Sequence, residues 1–182
     1  MVRKDYKLEI IRLLLKDKSY VREIAKKLGT NHPVVLRRLN ELLKSNVVDF
    51  SEAGRNKVFF LKNSIEARKF VFMAEEYALI QVLAKYPLLR NIVEKIQKDR
   101  RIKLAVLFGS YAKGLANKKS DIDIYIDTSD ISLKKELVMS DSKLSIKIGR
   151  LNKDNPLVKE IEKNHVIIKG VEAYYEKTRF FS

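Results

Sequence analysis

Asp121 and Asp123 are the residues of this 182-residue chain best spaced to do chemistry together. They lie in Ser120-Asp121-Ile122-Asp123-Ile124-Tyr125-Ile126, whose alternation reads as a strand over residues 121–127. Side chains two apart on a strand share a face, so both carboxylates point one way while Ile122, Ile124 and Ile126 face a core. Carboxylates brought together repel unless a cation separates them. Mg²⁺ suits such hard oxygen ligands and also holds triphosphate oxygens. Upstream, residues 104–108 read as a buried strand that runs into Gly109-Ser110 and a short helix. Gly109 lets the backbone approach a phosphate, and Ser110 adds a hydroxyl where free N–H groups and the helix dipole favour an anion. Lys113, Lys118 and Lys119 follow as candidate phosphate ligands.

A second set of candidates lies near the N-terminus. Helices are expected over residues 5–16, 20–28 and 32–43, from the apolar spacing of Leu8, Ile11, Leu14 and Leu15, of Val21, Ile24, Ala25 and Leu28, and of Val35, Leu39, Leu42 and Leu43. Gly29 offers a left-handed helix end, Asn31 a cap and Pro33 a first-turn residue. Outward on the third helix are His32, Val34, Arg37, Arg38 and Glu41. Strands over 47–51 and 57–61 flank a loop at 52–56, with Arg55 and Lys57 at its tip. Three helices followed by a hairpin, together with the phrase Tyr20-Val21-Arg22-Glu23-Ile24-Ala25-Lys26-Lys27-Leu28-Gly29, resemble a prokaryotic winged helix-turn-helix. That resemblance implies that the third helix enters the major groove of double-stranded DNA. Arg37 and Arg38 then reach phosphate or guanine, and the hairpin grips the adjacent backbone. The implied DNA-binding residues are His32, Val34, Arg37, Arg38, Arg55 and Lys57.

Composition agrees. Residues 1–63 carry 15 Lys/Arg against 7 Asp/Glu, the largest share of a net charge of +15, and a basic domain attracts polyanions. There is no Cys and there are only two His, which excludes a disulfide framework and disfavours a zinc site. No window of 18 apolar residues and no signal-like apolar start are present, so a cytoplasmic, non-membrane protein is expected.

A long helix is expected from Asn63, with Glu66 as capping-box partner, to Tyr86, stopped by Pro87. Its apolar residues wrap most of its circumference, which implies burial on several sides or pairing with a second copy. An amphipathic helix follows over 88–100 through Leu88, Leu89, Ile92, Val93 and Ile96. Further on, a short helix is expected over 131–138, strands over 144–148 and 166–169, and helices over 156–163 and 171–177.

The strand, Gly109-Ser110, short helix and Asp121-x-Asp123 resemble the nucleotidyltransferase superfamily of DNA polymerase beta, nearest its minimal prokaryotic members. The tail His165-Val166-Ile167-Ile168-Lys169-Gly170 followed by a helix fits the same resemblance, which covers about residues 100–177. It implies a site in which Asp121 and Asp123 are catalytic and hold Mg²⁺, and Gly109, Ser110 and Lys113 bind a nucleoside triphosphate. The implied reaction is in-line attack on the α-phosphate with loss of pyrophosphate. Active members usually carry a third carboxylate on the next strand. Here that face of residues 144–148 carries Ser145 and Lys147, while Asp127 and Asp141 are the other nearby acids.

The expected fold is mixed α+β. It comprises a winged helix at 1–63, a helical linker or dimerisation segment at 64–100, and a nucleotidyltransferase fold with a small mixed sheet flanked by helices at 101–182. The expected function is a homodimeric transcriptional regulator whose second domain binds Mg-nucleotide with impaired catalysis. The alternatives are an active transferase acting on a protein, small molecule or nucleic acid, and an antitoxin-like partner of a HEPN-type protein.

Overall fold

The computed structural model describes residues 4–152 and 155–181, except for the side chain of Ser140. The chain divides into two compact units, Met1–Tyr77 and Ala78–Ser182. No helix among the described residues is long and apolar enough to cross a membrane.

The first unit runs α1 (Tyr6–Leu14), β1 (Ser19–Tyr20), α2 (Val21–Leu28), α3 (His32–Lys44), β2 (Val48–Ala53) and β3 (Asn56–Leu61), and it includes α4 (Ile65–Lys85) as far as Tyr77. Two of the helix starts are capped by side chains. Asp5 accepts the N–H groups of Lys7 and Leu8 at the head of α1, and Asn31 accepts that of Val34 at the head of α3. Gly29, at φ 60°, takes the left-handed conformation that ends α2, as expected. The apolar faces of the three helices meet in a core of Ile10, Ile11, Leu14, Ile24, Leu28, Val35, Leu39 and Leu42, closed by Val58 and Phe59 of the sheet.

That core differs in detail from the expected one. Ile10 is buried in addition, while Leu8, Leu15 and Leu43 are only half-buried at its edge. The sheet has three antiparallel strands in the order β1-β3-β2, where sequence suggested two. The unforeseen β1 is two residues long, too short for an alternation to show, and pairs Ser19 with Phe59 and Tyr20 with Val58. The hairpin is tighter than a five-residue loop: Ala53 pairs with Asn56, leaving Gly54-Arg55 as the turn.

The cap of α4 also shifts by one residue. Ser64, not Asn63, accepts the N–H of Ala67, and its hydroxyl donates to the carbonyl of Asn46. Glu66 accepts from the side-chain amide of Asn46. Within the first unit α4 turns inward Ala67, Val71, Ala74, Glu75 and Tyr77. Small alanines on that line allow close approach, so the bulkier Ile65 and Met73 stay outward at 76% and 53% exposure. The helix is therefore not buried all round.

The second unit begins with the end of α4 and a 3-10 turn, Pro87–Leu89. Then come α5 (Arg90–Lys98), β4 (Ala105–Leu107), α6 (Gly109–Ala112), β5 (Ile122–Asp127), α7 (Ile131–Ser140), β6 (Leu144–Gly149), α8 (Pro156–Lys163), β7 (Val166–Lys169) and α9 (Val171–Lys177). Leu88 belongs to the turn and is exposed, whereas Leu89, Ile92, Val93 and Ile96 are buried as expected. The sheet order is β6-β5-β4-β7, with β5 and β6 parallel and the other pairs antiparallel. A parallel pair needs a crossover, and α7 supplies it. Ile122, Ile124 and Ile126 face a core shared with Ala105, Leu107, Leu133, Leu137, Ile146 and Ile168.

Ser64→Ala is expected to cost about 1 kcal/mol in urea unfolding. Asn63→Ala should stay within about 0.5 kcal/mol, as expected of an exposed residue that does not cap the helix.

Candidate functional site

Helices α2 and α3, with the turn at Gly29, form a helix-turn-helix. Because Val35, Leu39 and Leu42 are buried, α3 shows solvent the opposite side. His32, Leu36, Arg37 and Asn40 are exposed there, and Val34 and Arg38 are half-buried. Arg37 and Arg38 differ sharply. Arg38 donates from its Nη1 to both carboxylate oxygens of Glu41, at 2.8 and 2.9 Å, and Lys7 lies 3.8 Å from the same carboxylate. The Arg38 hydrogen bonds hold the Glu41 carboxyl below its usual range. Arg37 is exposed.

A surface depression of about 560 Å³ lies beside them, with Lys4, Tyr6 and Lys7 on one rim and Val34, Arg37 and Arg38 on the other. Lys4 donates to the carbonyl of Leu28 at 2.6 Å, which ties the start of α1 to the end of α2. Lys4 and Lys7 were legible as charges. Their place beside α3 was not, because it depends on how α1 packs. At the hairpin tip Arg55 is exposed, while the Lys57 ammonium stands 3.9 Å from the ring centre of Phe50.

In the second unit, the pairing of β4 with β5 brings the glycine turn to the aspartates. The N–H of Phe108 donates to the carbonyl of Asp123 at 2.9 Å. Gly109 follows at φ 67°, and a Cβ built on it would overlap the Asp123 carboxylate. Glycine is therefore required here twice over, by its φ and by the acid that fills its side-chain space. Sequence reasoning assigned Gly109 to phosphate approach; the geometry adds that it seats Asp123. Ser110 is half-buried on α6, one helical turn long. Asp123 is half-buried on β5, whereas Asp121 lies just before the strand and is exposed. Lys113 lies 3.7 Å from Glu160, and Lys118 and Lys119 are exposed loop residues.

Strand β6 shows what stands opposite. Ser145 is the register partner of Asp123, and Lys147 that of Tyr125. Ser145, not Lys147, thus occupies the place beside Asp123, and Lys147 is exposed one pleat further on. Asp127 lies about 13 Å along β5 from Asp123. It is otherwise engaged, accepting the N–H of Leu151 at 2.9 Å and pairing with Lys177 at 2.7 Å. Asp141 accepts the N–H of Lys143 at 2.9 Å in its own turn. Neither supplies a third carboxylate at Asp123. Tyr125 closes the same face: it is 1% exposed, and burial, then the charge of Asp127, pushes its phenol up to about 12. Among the described residues no group of three His, Asp or Glu could hold a metal ion. What the site offers a cation is the pair Asp121 and Asp123. Mg²⁺ commonly uses one or two carboxylates with substrate phosphates, so the pair fits a cation that arrives with a nucleotide.

Fold and geometry together define a winged helix-turn-helix domain followed by a nucleotidyltransferase-fold domain. Residues 5–49 match the family described as bacterial regulatory protein, arsR family, and residues 90–173 match polymerase beta, nucleotidyltransferase. Among solved structures the chain is similar to reduced HlyU from Vibrio cholerae at 18% identity, covering 42% of this chain and 77% of that one, with a TM-score of 0.36. It is similar to a ZitR variant from Lactococcus lactis at 25% identity, over 50% and 66% of the two chains, with a TM-score of 0.38. It is also similar to the homodimeric winged helix-turn-helix DNA-binding domain Mb0332 from Mycobacterium bovis at 26% identity, over 47% and 72%, with a TM-score of 0.33. No curated protein matches the chain.

Gly109→Ala is expected to destabilise the second unit by about 2–4 kcal/mol, because both the backbone and Asp123 must move. Combining it with Asp123→Ala should recover part of that loss in urea unfolding, since the double variant keeps the φ strain and loses the clash.

Proposed function

We propose that this chain is a dimeric DNA-binding transcriptional regulator whose nucleotidyltransferase-fold domain binds a nucleotide as its signal and transfers it poorly. The observation that carries the reading is Ser145 standing in register with Asp123, in a chain whose other unit presents a cationic helix-turn-helix. The first half rests on α3. Its exposed face carries Arg37 and His32, and the hairpin adds Arg55, so a duplex laid along it meets cations from two elements. Arg38, held by Glu41, serves to stiffen that face. Two copies would read two half-sites, which matches protein symmetry to a palindromic operator.

The second half rests on chemistry that is present and chemistry that is missing. Gly109, Ser110 and the Asp121/Asp123 pair can seat a triphosphate. A Mg²⁺ ion held by the two aspartates would neutralise its oxygens. Transfer further requires a group that takes the proton of the attacking hydroxyl. In this resemblance that group is a carboxylate, and a neutral serine hydroxyl is a poor base. Binding therefore survives where transfer fails. The intact Gly109–Asp123 contact favours one alternative, an active transferase that uses another base.

Duplexes selected from a random library would define the operator and test the first half. Arg37→Ala is expected to weaken operator binding by about 1–3 kcal/mol and lower the salt slope by roughly one. Arg38→Ala should act less on affinity, and more on stability through the loss of its pair with Glu41. Equal loss of affinity at both positions would count against the division between Arg37 and Arg38, and unchanged affinity in Arg37→Ala would remove the assignment of Arg37.

For the second half, wild type should bind ATP or another nucleoside triphosphate in a titration with Mg²⁺, and Asp121→Asn/Asp123→Asn should not. Wild type should transfer little α-labelled nucleotide, and Ser145→Asp should raise that transfer. Robust wild-type transfer would establish the active-enzyme reading instead. Binding unaffected by the double asparagine variant would remove the assigned site.

A further inference from the structure

Asp123 stands between two unlike sides of the second unit. Gly109 and Ser110 follow β4 on one side of β5, and the edge strand β6 lies on the other. Lysines gather on the β6 side. Lys147 is two residues from Ser145 on that strand, so the two share a face about 7 Å apart. Lys143 precedes the strand, and its carbonyl accepts the N–H of Ile122 at 2.8 Å. Its ammonium donates to the carbonyl of Lys118 at 3.3 Å, in the loop that leads through Lys119 to Asp121. All four lysines are exposed.

These charges are not matched by acids. Lys98, Lys113 and Lys177 of the same unit pair with Glu94, Glu160 and Asp127. Among the described residues Lys118, Lys119, Lys143 and Lys147 have no acidic partner, and Asp121 and Asp123 have no cationic one. The four lysines therefore do not serve as counter-charges of the aspartates, and their field is open to a ligand.

In-line displacement sets the attacking and leaving groups on opposite sides of a phosphorus. A triphosphate anchored at Gly109 and Ser110 has its leaving end on the β4 side. A second ligand then meets the nucleotide from the β6 side, across Ser145. A carboxylate there would repel an anion, whereas a serine flanked by lysines attracts one. Four residues of extended chain separate Lys143 from Lys147, about 13 Å, so the fitting ligand carries several anionic groups in a row. Lysine meets phosphate as a point charge and follows a backbone without reading its bases. Asp123 and Ser145 are half-buried, which admits a single strand rather than a duplex.

We propose that the β6 edge binds the phosphate backbone of a single-stranded nucleic acid, held by Lys143 and Lys147, with Lys118 and Lys119 extending the contact past Asp121. The proposal rests on the nucleotide-binding reading above and names what lies beside the nucleotide.

Fluorescence anisotropy of the full-length protein with labelled oligothymidylate or oligouridylate of about twelve nucleotides tests it. Wild type is expected to bind at least one of them. Lys143→Glu/Lys147→Glu should lower that affinity about tenfold or more, and Lys143→Ala/Lys147→Ala should lower the salt slope by about 1.4, near 0.7 for each lysine. Both positions are exposed, and circular dichroism checks that each variant keeps its fold. Neither variant should change affinity for the operator duplex, and Arg37→Ala should weaken the duplex while sparing the single strand. Loss of single-strand binding in Arg37→Ala but not in the lysine variants would put the strand on the winged helix and overturn the proposal. Equal affinity for polyglutamate of the same length, lost in the same variants, would overturn nucleic acid as the occupant. No single-strand binding by a protein that still binds ATP with Mg²⁺ would overturn the proposal and leave the nucleotide reading standing. Absence of ATP binding would remove the nucleotide beside which the strand is placed and overturn both.

Discussion

The contact between Gly109 and Asp123 is the constraint on which the second unit turns. A carboxylate fills the space where a Cβ would be, so the turn after β4 and the acid on β5 fit only one way. That fit depends on the antiparallel ladder of β4 and β5 and on the N–H of Phe108, which donates to the Asp123 carbonyl. The ladder in turn depends on Ile122, Ile124 and Ile126 being driven into the core, which leaves Asp123 no other face to occupy. Burial thus positions the chemistry: the apolar half of the strand holds the polar half where it can meet a ligand.

The first unit follows the same logic with helices. Burial of Val35, Leu39 and Leu42 fixes which side of α3 faces solvent, and the basic residues of that side follow without further design. Capping sets where the helix begins, since Asn31 takes the free N–H of Val34 and the left-handed Gly29 reverses the chain just before it. Charge pairing then divides two adjacent arginines that look equivalent in sequence. Arg38 reaches Glu41 one turn on, while Arg37 is rotated by about 100° onto the open face.

Much of this was legible in the residues because it is local. Helix ends marked by Gly29 and Pro33, strands marked by alternation and the Gly-Ser and Asp-x-Asp signature all act over a few residues. The misses have a common cause in contacts distant along the chain. Strand β1 exists because Ser19 and Tyr20 find partners some 40 residues later, at Phe59 and Val58, and two residues carry no periodicity. Ser64 rather than Asn63 caps α4 because its hydroxyl also reaches Asn46. Ser145 and Lys147 alternate identically with their neighbours, so only the register with β5 shows which of them stands beside Asp123. The occupation of Asp127 by Lys177 and the Leu151 N–H depends on the chain returning from beyond β6.

In the proposed reading, a serine rather than an acid beside Asp123 bears on the resting state of the site as well as on its chemistry. Three convergent carboxylates would repel strongly, and such a cluster is stable only with a resident cation or with one acid protonated. Ser145 removes one charge from that cluster and leaves Asp123 beside a neutral hydroxyl. Asp121 is exposed to water just before the strand. On the proposed reading the site would stand folded without a metal, and the attraction of Asp121 and Asp123 for a cation would act when a nucleotide brings one. A site arranged in this way responds to ligand concentration, whereas one that must hold a metal to fold would be filled at all times. On that reading the difference would suit a binding domain better than a catalyst, and it would follow from a single position on β6.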